Sequence, residues 1–276
     1  MFSNKNISLY KFAKFAVVGG IGSVITFGFT YIFTEYTHLY YMISLVIAVF
    51  FGTVNNYILN SIWTFSKESN YNDNDYEWKA YYKGNIIQRW WKRKLAKEVT
   101  SFINKDKSCV DFGCGSSPLA TIIKSKTYLG VDSNYNKIRF MNEKKLPYRY
   151  VCDNICTNGS KQKFGVYKGF DVALAIEVIE HMNDLPQASK FIQLLSDSII
   201  DNGNVIIATP DYNSTRWKLI EKIYGILMPS AYAQDHKVRF DEKKLIGLCR
   251  SYGLEHVETK RVAGCDMICN FVKCSQ

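Results

Sequence analysis

The first seventy residues carry long runs without a charged side chain, and the rest of the chain switches between short apolar stretches and amphipathic segments. Phe15 to Thr34 is twenty residues free of Asp, Glu, Lys and Arg, and a helix of that length spans about 30 Å, the thickness of a bilayer's hydrocarbon core. A second uncharged run extends from Tyr36 to Ser66, with aromatic residues at both ends (Tyr36, Tyr40, Tyr41; Tyr57, Trp63, Phe65), the placement of interfacial anchors. The pattern predicts two membrane spans, residues 15–34 and 40–60, joined as a helical hairpin. A cleaved signal peptide fits the first run less well: its apolar part is too long, no small-x-small site follows, and a second span comes at once.

Flanking charge orients the hairpin. Lys5, Lys11 and Lys14 precede the first span and Lys67 follows the second, whereas the connecting residues Glu35–His38 hold no Lys or Arg. The positive-inside rule then places the N-terminus and everything after the second span in the cytoplasm. Gly19, Gly20, Gly22 and Ser23 offer a small-residue face for helix packing. Asn56 and Asn60 stand one turn apart, either as hydrogen bonders between helices or as part of a site.

Past the second run the pattern breaks. Residues 67–77 are polar and without apolar periodicity, which predicts a linker separating a hairpin (1–66) from a domain over 78–276. Trp78 to Ile103 mixes Trp90, Trp91, Tyr81 and Tyr82 with cations, and Leu95, Val99, Phe102 and Ile103 recur at helical spacing. Such a helix can lie on an anionic lipid surface, contact a phosphate-bearing lipid, or simply be the solvated outer face of the domain's first helix. From Ser108 onward short apolar runs alternate with amphipathic ones: strands are predicted at 110–112, 127–131, 148–151, 170–175, 204–208 (entered through an Asp201-Asn-Gly-Asn turn), 256–261 and 268–273. Strands alternating with helices call for an α/β fold, a Rossmann-like doubly wound sheet, here preceded by the hairpin.

Composition refines this in two respects. The net charge of +10 is concentrated: residues 79–97 hold seven Lys/Arg and no acid, so it marks a local surface, and no nucleic-acid partner is expected. None of the eight cysteines shows Cys-x-x-Cys spacing. They read as reduced thiols, and Cys265, Cys269 and Cys274 as small buried residues on a C-terminal strand pair, so no metal site is expected.

The candidate chemistry centres on Ser108-Cys-Val-Asp-Phe-Gly-Cys-Gly-Ser-Ser-Pro118, a strand, a glycine turn and a helix start. A dinucleotide fingerprint would place a third glycine where Ser117 stands, and a phosphate loop would need Gly-Lys-Ser/Thr, which is absent. Acidic residues instead follow successive strands. Asp132, twenty-one residues after Asp111, stands where a carboxylate accepts both hydroxyls of a ribose. Asp153 follows the third strand, placed to accept from an adenine amino group, and Glu177 follows the fourth.

Two resemblances emerge from these motifs. Lys14-Phe-Ala-Val-Val-Gly-Gly, followed by Asn56-Tyr-Ile-Leu-Asn-Ser-Ile-Trp-Thr-Phe65, is similar to the first half of the GtrA-like membrane proteins, which are associated with polyprenyl-phosphate-linked sugars and cell-surface polysaccharide and normally have four spans. Asp111-Phe-Gly-Cys-Gly, Asp132, Asp153 and Glu177-Val-Ile-Glu-His181 together resemble the class I S-adenosylmethionine-dependent methyltransferases over residues 105–275. That resemblance implies S-adenosylmethionine as cofactor, with Asp111, Gly113, Cys114 and Gly115 at its methionine end, Asp132 and Ser133 at the ribose, Asp153 and Asn154 at the adenine, and Ile176 and Glu177 as the floor. The sulfonium activates the methyl group, so a general base is needed only for a hydroxyl-like acceptor. Its candidates are His236, Asp211 and Tyr212, with His181 read as structural. Residues 215–228 are expected to cover the acceptor, with Arg216, Lys218 or Arg239 gripping a phosphate. The expected activity is methyl transfer to a lipid or lipid-linked, membrane-proximal acceptor, with pairing of hairpins into a homo-oligomer as a further expectation. The alternative is a GtrA-like adaptor or translocation subunit that binds the cofactor without catalysis.

Overall fold

The computed structural model describes residues 4–64, 74–155, 167–227 and 237–275. The chain divides into two compact units, Met1–Asn70 and Tyr71–Gln276.

The first unit is a helical hairpin, α1 (Asn4–Glu35) and α2 (Tyr41–Leu59), the latter ending in a π-helical turn over Asn60–Thr64. Phe12–Glu35 and Tyr41–Leu59 have mean hydropathies of 1.7 and 1.8, long and apolar enough to cross a membrane, and only 17% of each is buried. Of the predicted small-residue face, Gly22 alone meets α2: a Cβ there would lie 2.2 Å from Asn56 Oδ1, whereas Gly19 and Gly20 have open space beside them. Gly52 receives Thr26 in the same way, at 2.3 Å. Asn56 thus fills a glycine notch; its Oδ1 and that of Asn60 find no hydrogen-bond partner, so neither oxygen makes the interhelical bond expected of it.

In the second unit, one helix was expected over the basic aromatic segment, and two are present: α3 (Tyr76–Tyr82) and α4 (Ile86–Thr100). The break falls at Gly84, followed by Asn85, whose side chain accepts from Gln88 N at 2.8 Å and caps α4. Tyr76 and Glu77, read as linker, belong to α3. Then follow β1 (Ser108–Phe112), α5 (Leu119–Ile122), β2 (Thr127–Asp132), α6 (Tyr135–Glu143), β3 (Arg149–Cys152), β4 (Phe170–Ile176), a 3-10 turn (Ile179–His181), α7 (Leu185–Ser198), β5 (Ile199–Pro210), α8 (Thr215–Leu227), α9 (Glu242–Arg250), β6 (Leu254–Val262) and β7 (Asp266–Lys273).

The seven strands form one sheet in the order β3-β2-β1-β4-β5-β7-β6. The first five run parallel, and β7 enters antiparallel between β5 and β6. Successive β1 side chains serve opposite faces: Val110 and Phe112 join the core under α7 and α9, while Cys109 joins the core under α4, α5 and α6. Both faces are therefore apolar, as a parallel sheet covered on both sides requires. The Asp201-Asn-Gly-Asn segment falls within the bounds of β5, but the register with β4 jumps from Phe170–Ile199 to Val172–Asn204, so residues 200–203 loop out of the ladder, with Asn202 at φ 59°, and regular pairing begins at Asn204 as expected. Strand order reverses between β1 and β4, so the loops after these two strands diverge and leave a crevice at their C-terminal ends.

Phe112 is fully buried. Phe112→Ala is expected to destabilise the second unit by about 3–5 kcal/mol, measured as a lowered denaturation midpoint of the full chain in detergent.

Candidate active site

The crevice is built first from backbone. Gly113 and Gly115 take φ 78° and 52°, which a Cβ would strain. Gly113 N and Cys114 N both donate to Val131 O, at 2.7 and 3.1 Å, folding the turn back on β2. The close approaches that demand glycine are made by the protein itself: a Cβ on Gly113 would sit 2.4 Å from Val178 Cγ2, and one on Gly115 would sit 3.0 Å from Glu77 Oε1.

The predicted cofactor residues line the C-terminal edge. Asp132 accepts from Gly115 N (2.8 Å) and from Asn134 N (2.7 Å), so its carboxylate is held between the glycine turn and the start of α6. Asp153 N donates to Asp132 O (3.0 Å), and the Asp153 carboxylate accepts from Tyr167 OH (2.8 Å). Ser133 and Asn154 are exposed beside these two acids. Glu177 has φ 56°, in the left-handed region that strains a non-glycine residue and that clusters at functional sites. Its N–H donates to Ala208 O at 2.8 Å, tying the end of β4 to β5. Ile176 packs under it. Two residues turn inward. Asp111 is 2% exposed and accepts from Tyr128 OH at 2.5 Å, and burial pushes its carboxyl up to about 7. Cys114 is sealed against Gly130, and burial raises its thiol far above the ordinary range.

Helices α3 and α4 supply residues that the sequence had not suggested. The Glu77 carboxylate accepts from Ser116 N, from Ser116 Oγ and from Lys137 Nζ (2.5 Å). Burial pushes that carboxyl upward, but the Lys137 ammonium and these bonds outweigh it and hold it low. Lys92 forms an ion pair with Glu177, and that carboxylate keeps the ammonium charged against the cost of its burial. Trp91 Nε1 donates to Asp266 Oδ2 at 2.7 Å. Tyr76, close to Lys92 and Glu177, is raised by its burial. Two further acids complete this side: Glu180, 1% exposed and accepting from Thr209 Oγ1 at 3.0 Å, and Asp266, 4% exposed. Burial pushes Glu180 up to about 8; burial and the Glu177 charge raise Asp266. Trp91 and Lys92 were legible only as members of a basic aromatic run, and Asp266 carried no signal.

Of the candidate bases, Asp211 accepts from Asn213 N (3.0 Å) and lies 3.6 Å from Arg261, so its carboxylate is engaged within the fold. Tyr212 lies beneath the Arg239 guanidinium (5.1 Å) and edge-on to Trp217 (5.9 Å), and burial raises its phenol. Arg239 reaches Glu221 at 2.8 Å. His236 lies outside the described residues, as does Met228 at the end of the predicted cover, whose remainder is α8. Among the described residues no group of three or more His, Cys, Asp or Glu could hold a metal ion.

Comparison with known families matches residues 86–259 to a methyltransferase domain. The chain belongs to that family. Residues 14–88 match a GtrA/DPMS transmembrane domain, so the two are fused in one polypeptide. No curated protein matches the chain. Solved structures share the fold at low identity. The magnesium protoporphyrin IX methyltransferase of Synechocystis PCC 6803, with bound S-adenosylhomocysteine, has 16% identity and a TM-score of 0.54, over 71% of this chain and 93% of its own. The N-methyltransferase NodS of Bradyrhizobium japonicum WM9, also in complex with S-adenosylhomocysteine, has 14% identity and a TM-score of 0.50, over 70% and 90%. The [4+2]-cyclase SpnF has 12% identity and a TM-score of 0.52, over 67% and 82%; fold alone does not specify reaction.

The crevice of this methyltransferase domain fits S-adenosylmethionine. Two glycines hold positive φ at the end of β1, and hydrogen-bonded acids follow β2 and β3.

Glu180 gives a pH prediction. Its folded-state value lies above that of an unfolded glutamate, so its contribution to stability is full below about 4.5 and is lost as pH rises toward about 8. Between these limits Glu180→Gln should flatten the fall in stability by up to about 1.4 kcal/mol per pH unit, read from denaturation midpoints of the two proteins across that range.

Proposed function

We propose that the protein is a membrane-anchored S-adenosylmethionine-dependent methyltransferase acting on a lipid or lipid-linked acceptor at the cytoplasmic face, of polyprenyl-linked glycan or isoprenoid type. The observation that carries this reading is the fusion itself: a GtrA/DPMS transmembrane domain runs directly into a methyltransferase domain, at 14–88 and 86–259. Tethering a catalytic domain to the bilayer raises its effective concentration toward a substrate confined there. Lys5, Lys11 and Lys14 ahead of the first uncharged span and the basic run after α2 support a cytoplasmic N-terminus and catalytic domain. Pairing of hairpins from two copies follows from a segment with half the spans of the family it resembles.

Bound S-adenosylmethionine supplies a methyl group already activated by its sulfonium. The chain's residues bind and orient around it. The Gly113 and Gly115 turn receives the methionine end, supported from beneath by the buried Asp111 and Cys114, Asp132 and Ser133 the ribose, Asp153 and Asn154 the adenine, and Ile176 with Glu177 forms the floor. Catalysis then rests on alignment and on exclusion of water. Tyr76, Lys92 and Glu77 close the crevice from α3 and α4. For a hydroxyl-like acceptor the base is drawn from Asp211, Tyr212 and His236.

Calorimetry of the full chain in nanodiscs should show S-adenosylmethionine binding that Asp132→Ala weakens by about 10- to 100-fold, the scale of losing charge-assisted hydrogen bonds; unchanged affinity would remove Asp132 from the ribose. Transfer of a labelled methyl group from S-adenosylmethionine into a membrane lipid extract, with the product identified by mass, is the expected activity. Binding without transfer would instead favour an adaptor that has kept the cofactor and lost catalysis.

A further inference from the structure

Helix α4 presents two unlike faces. Leu95, Ala96 and Val99 are buried in the core; Trp91 donates to Asp266 and Lys92 pairs with Glu177. This inner face therefore lines the crevice beside Glu177 and Asp266. The opposite face begins with Ile86, Ile87 and Trp90, which are 75%, 57% and 51% exposed, and continues through exposed Arg93 and Lys97. Residues 86, 90, 93 and 97 recur at i, i+4, i+7 and i+11, so they form one stripe along the helix. Tyr82 at the end of α3 is 40% exposed and extends the apolar end.

We propose that this outer face docks on the headgroup layer of an anionic bilayer, with Ile86, Ile87 and Trp90 at the acyl boundary and Arg93 and Lys97 among the anionic headgroups. Two observations commit the face to lipid. First, its charge is one-sided: residues 79–97 hold seven Lys/Arg and no acid, and although Lys79, Lys92 and Lys94 pair with Asp75, Glu177 and Glu98 outside the run, the exposed stripe carries Arg93 and Lys97, the complement of an anionic surface. Second, α4 begins fewer than thirty residues after a helix long and apolar enough to cross a membrane, so the covalent tether holds it near headgroups. A large exposed tryptophan beside isoleucines and cations is the composition of an interfacial helix. Because Trp91 and Lys92 leave the same turns as Trp90 and Arg93 and meet Asp266 and Glu177, docking the outer face sets the position of the crevice relative to the headgroups. The proposal rests on the hairpin lying in the bilayer, and on neither the identity of the acceptor nor methyl transfer.

The test uses the full chain in proteoliposomes of phosphatidylcholine alone or mixed with phosphatidylglycerol, with lipid brominated near the headgroup end of its acyl chains. The fluorescence that Trp90→Phe removes should be quenched severalfold more in the anionic vesicles. Arg93→Glu with Lys97→Glu should cancel that difference, and so should high salt, which shortens the screening length to a few ångströms. Amide exchange over residues 85–94 should slow in anionic vesicles relative to neutral ones, a readout that needs no variant. The idea is overturned if the Trp90 component, with the hairpin inserted, stays open to aqueous acrylamide and indifferent to brominated lipid. It is equally overturned if that component is shielded from both quenchers while the face cross-links to a second copy or another protein. Loss of S-adenosylmethionine binding would count against the cofactor site and leave this result standing.

Discussion

Crowding of negative charge at one edge of the sheet is the constraint on which the second unit depends. Asp111, Asp132, Glu177, Glu180 and Asp266 are all brought to the C-terminal side, where strand order reverses, and several are too buried to ionise at no cost. One cation from outside the sheet offsets them directly, Lys92 of α4 reaching Glu177, and a second, Lys137 of α6, offsets Glu77 of α3 against the glycine turn. Trp91, Thr209 and Tyr128 satisfy the acids that remain with neutral donors. Buried charge survives only when paired and hydrogen-bonded, so helices α3 and α4 are integral to the crevice.

This arrangement gives α4 a double role. Its inner face completes the charge balance of the crevice at Glu177 and Asp266, and its outer face carries the most exposed apolar residues of the basic segment. The hairpin supplies proximity to lipid, a term in effective concentration. The helix supplies orientation, which concentration alone does not. A chain combining a GtrA/DPMS transmembrane domain with a methyltransferase domain thereby joins both terms in one polypeptide.

The glycine turn shows how far local pattern reaches. Gly113 and Gly115 were legible as positions of sharp bending, and both take positive φ. The resemblance implies that these glycines face the methionine end of a cofactor, whereas the contacts that would clash with a Cβ are Val178 and Glu77. Val178 lies 65 residues downstream, and no spacing rule connects it to the turn. Asn56 illustrates the same limit in the hairpin: read as a hydrogen bonder between helices or as part of a site, it packs into the Gly22 notch with its Oδ1 unpartnered. The Asp201-Asn-Gly-Asn segment reads as a turn from its residue types, and it does loop out of the ladder with β4; what the pattern did not show is that β5 starts before it, with Ile199 paired to Phe170.

By itself the sequence determined the two apolar spans, the alternation of strands and helices, and the acids that follow β2, β3 and β4, because each rests on local periodicity or on a motif within a few residues. Tertiary structure alone decided that β7 runs antiparallel between β5 and β6, that Asp266 faces Trp91 across 175 residues of chain, and that Lys92 points inward while Trp90 points out. These are outcomes of long-range pairing and of balancing buried charge, and a one-dimensional pattern holds no record of which distant group will supply the partner.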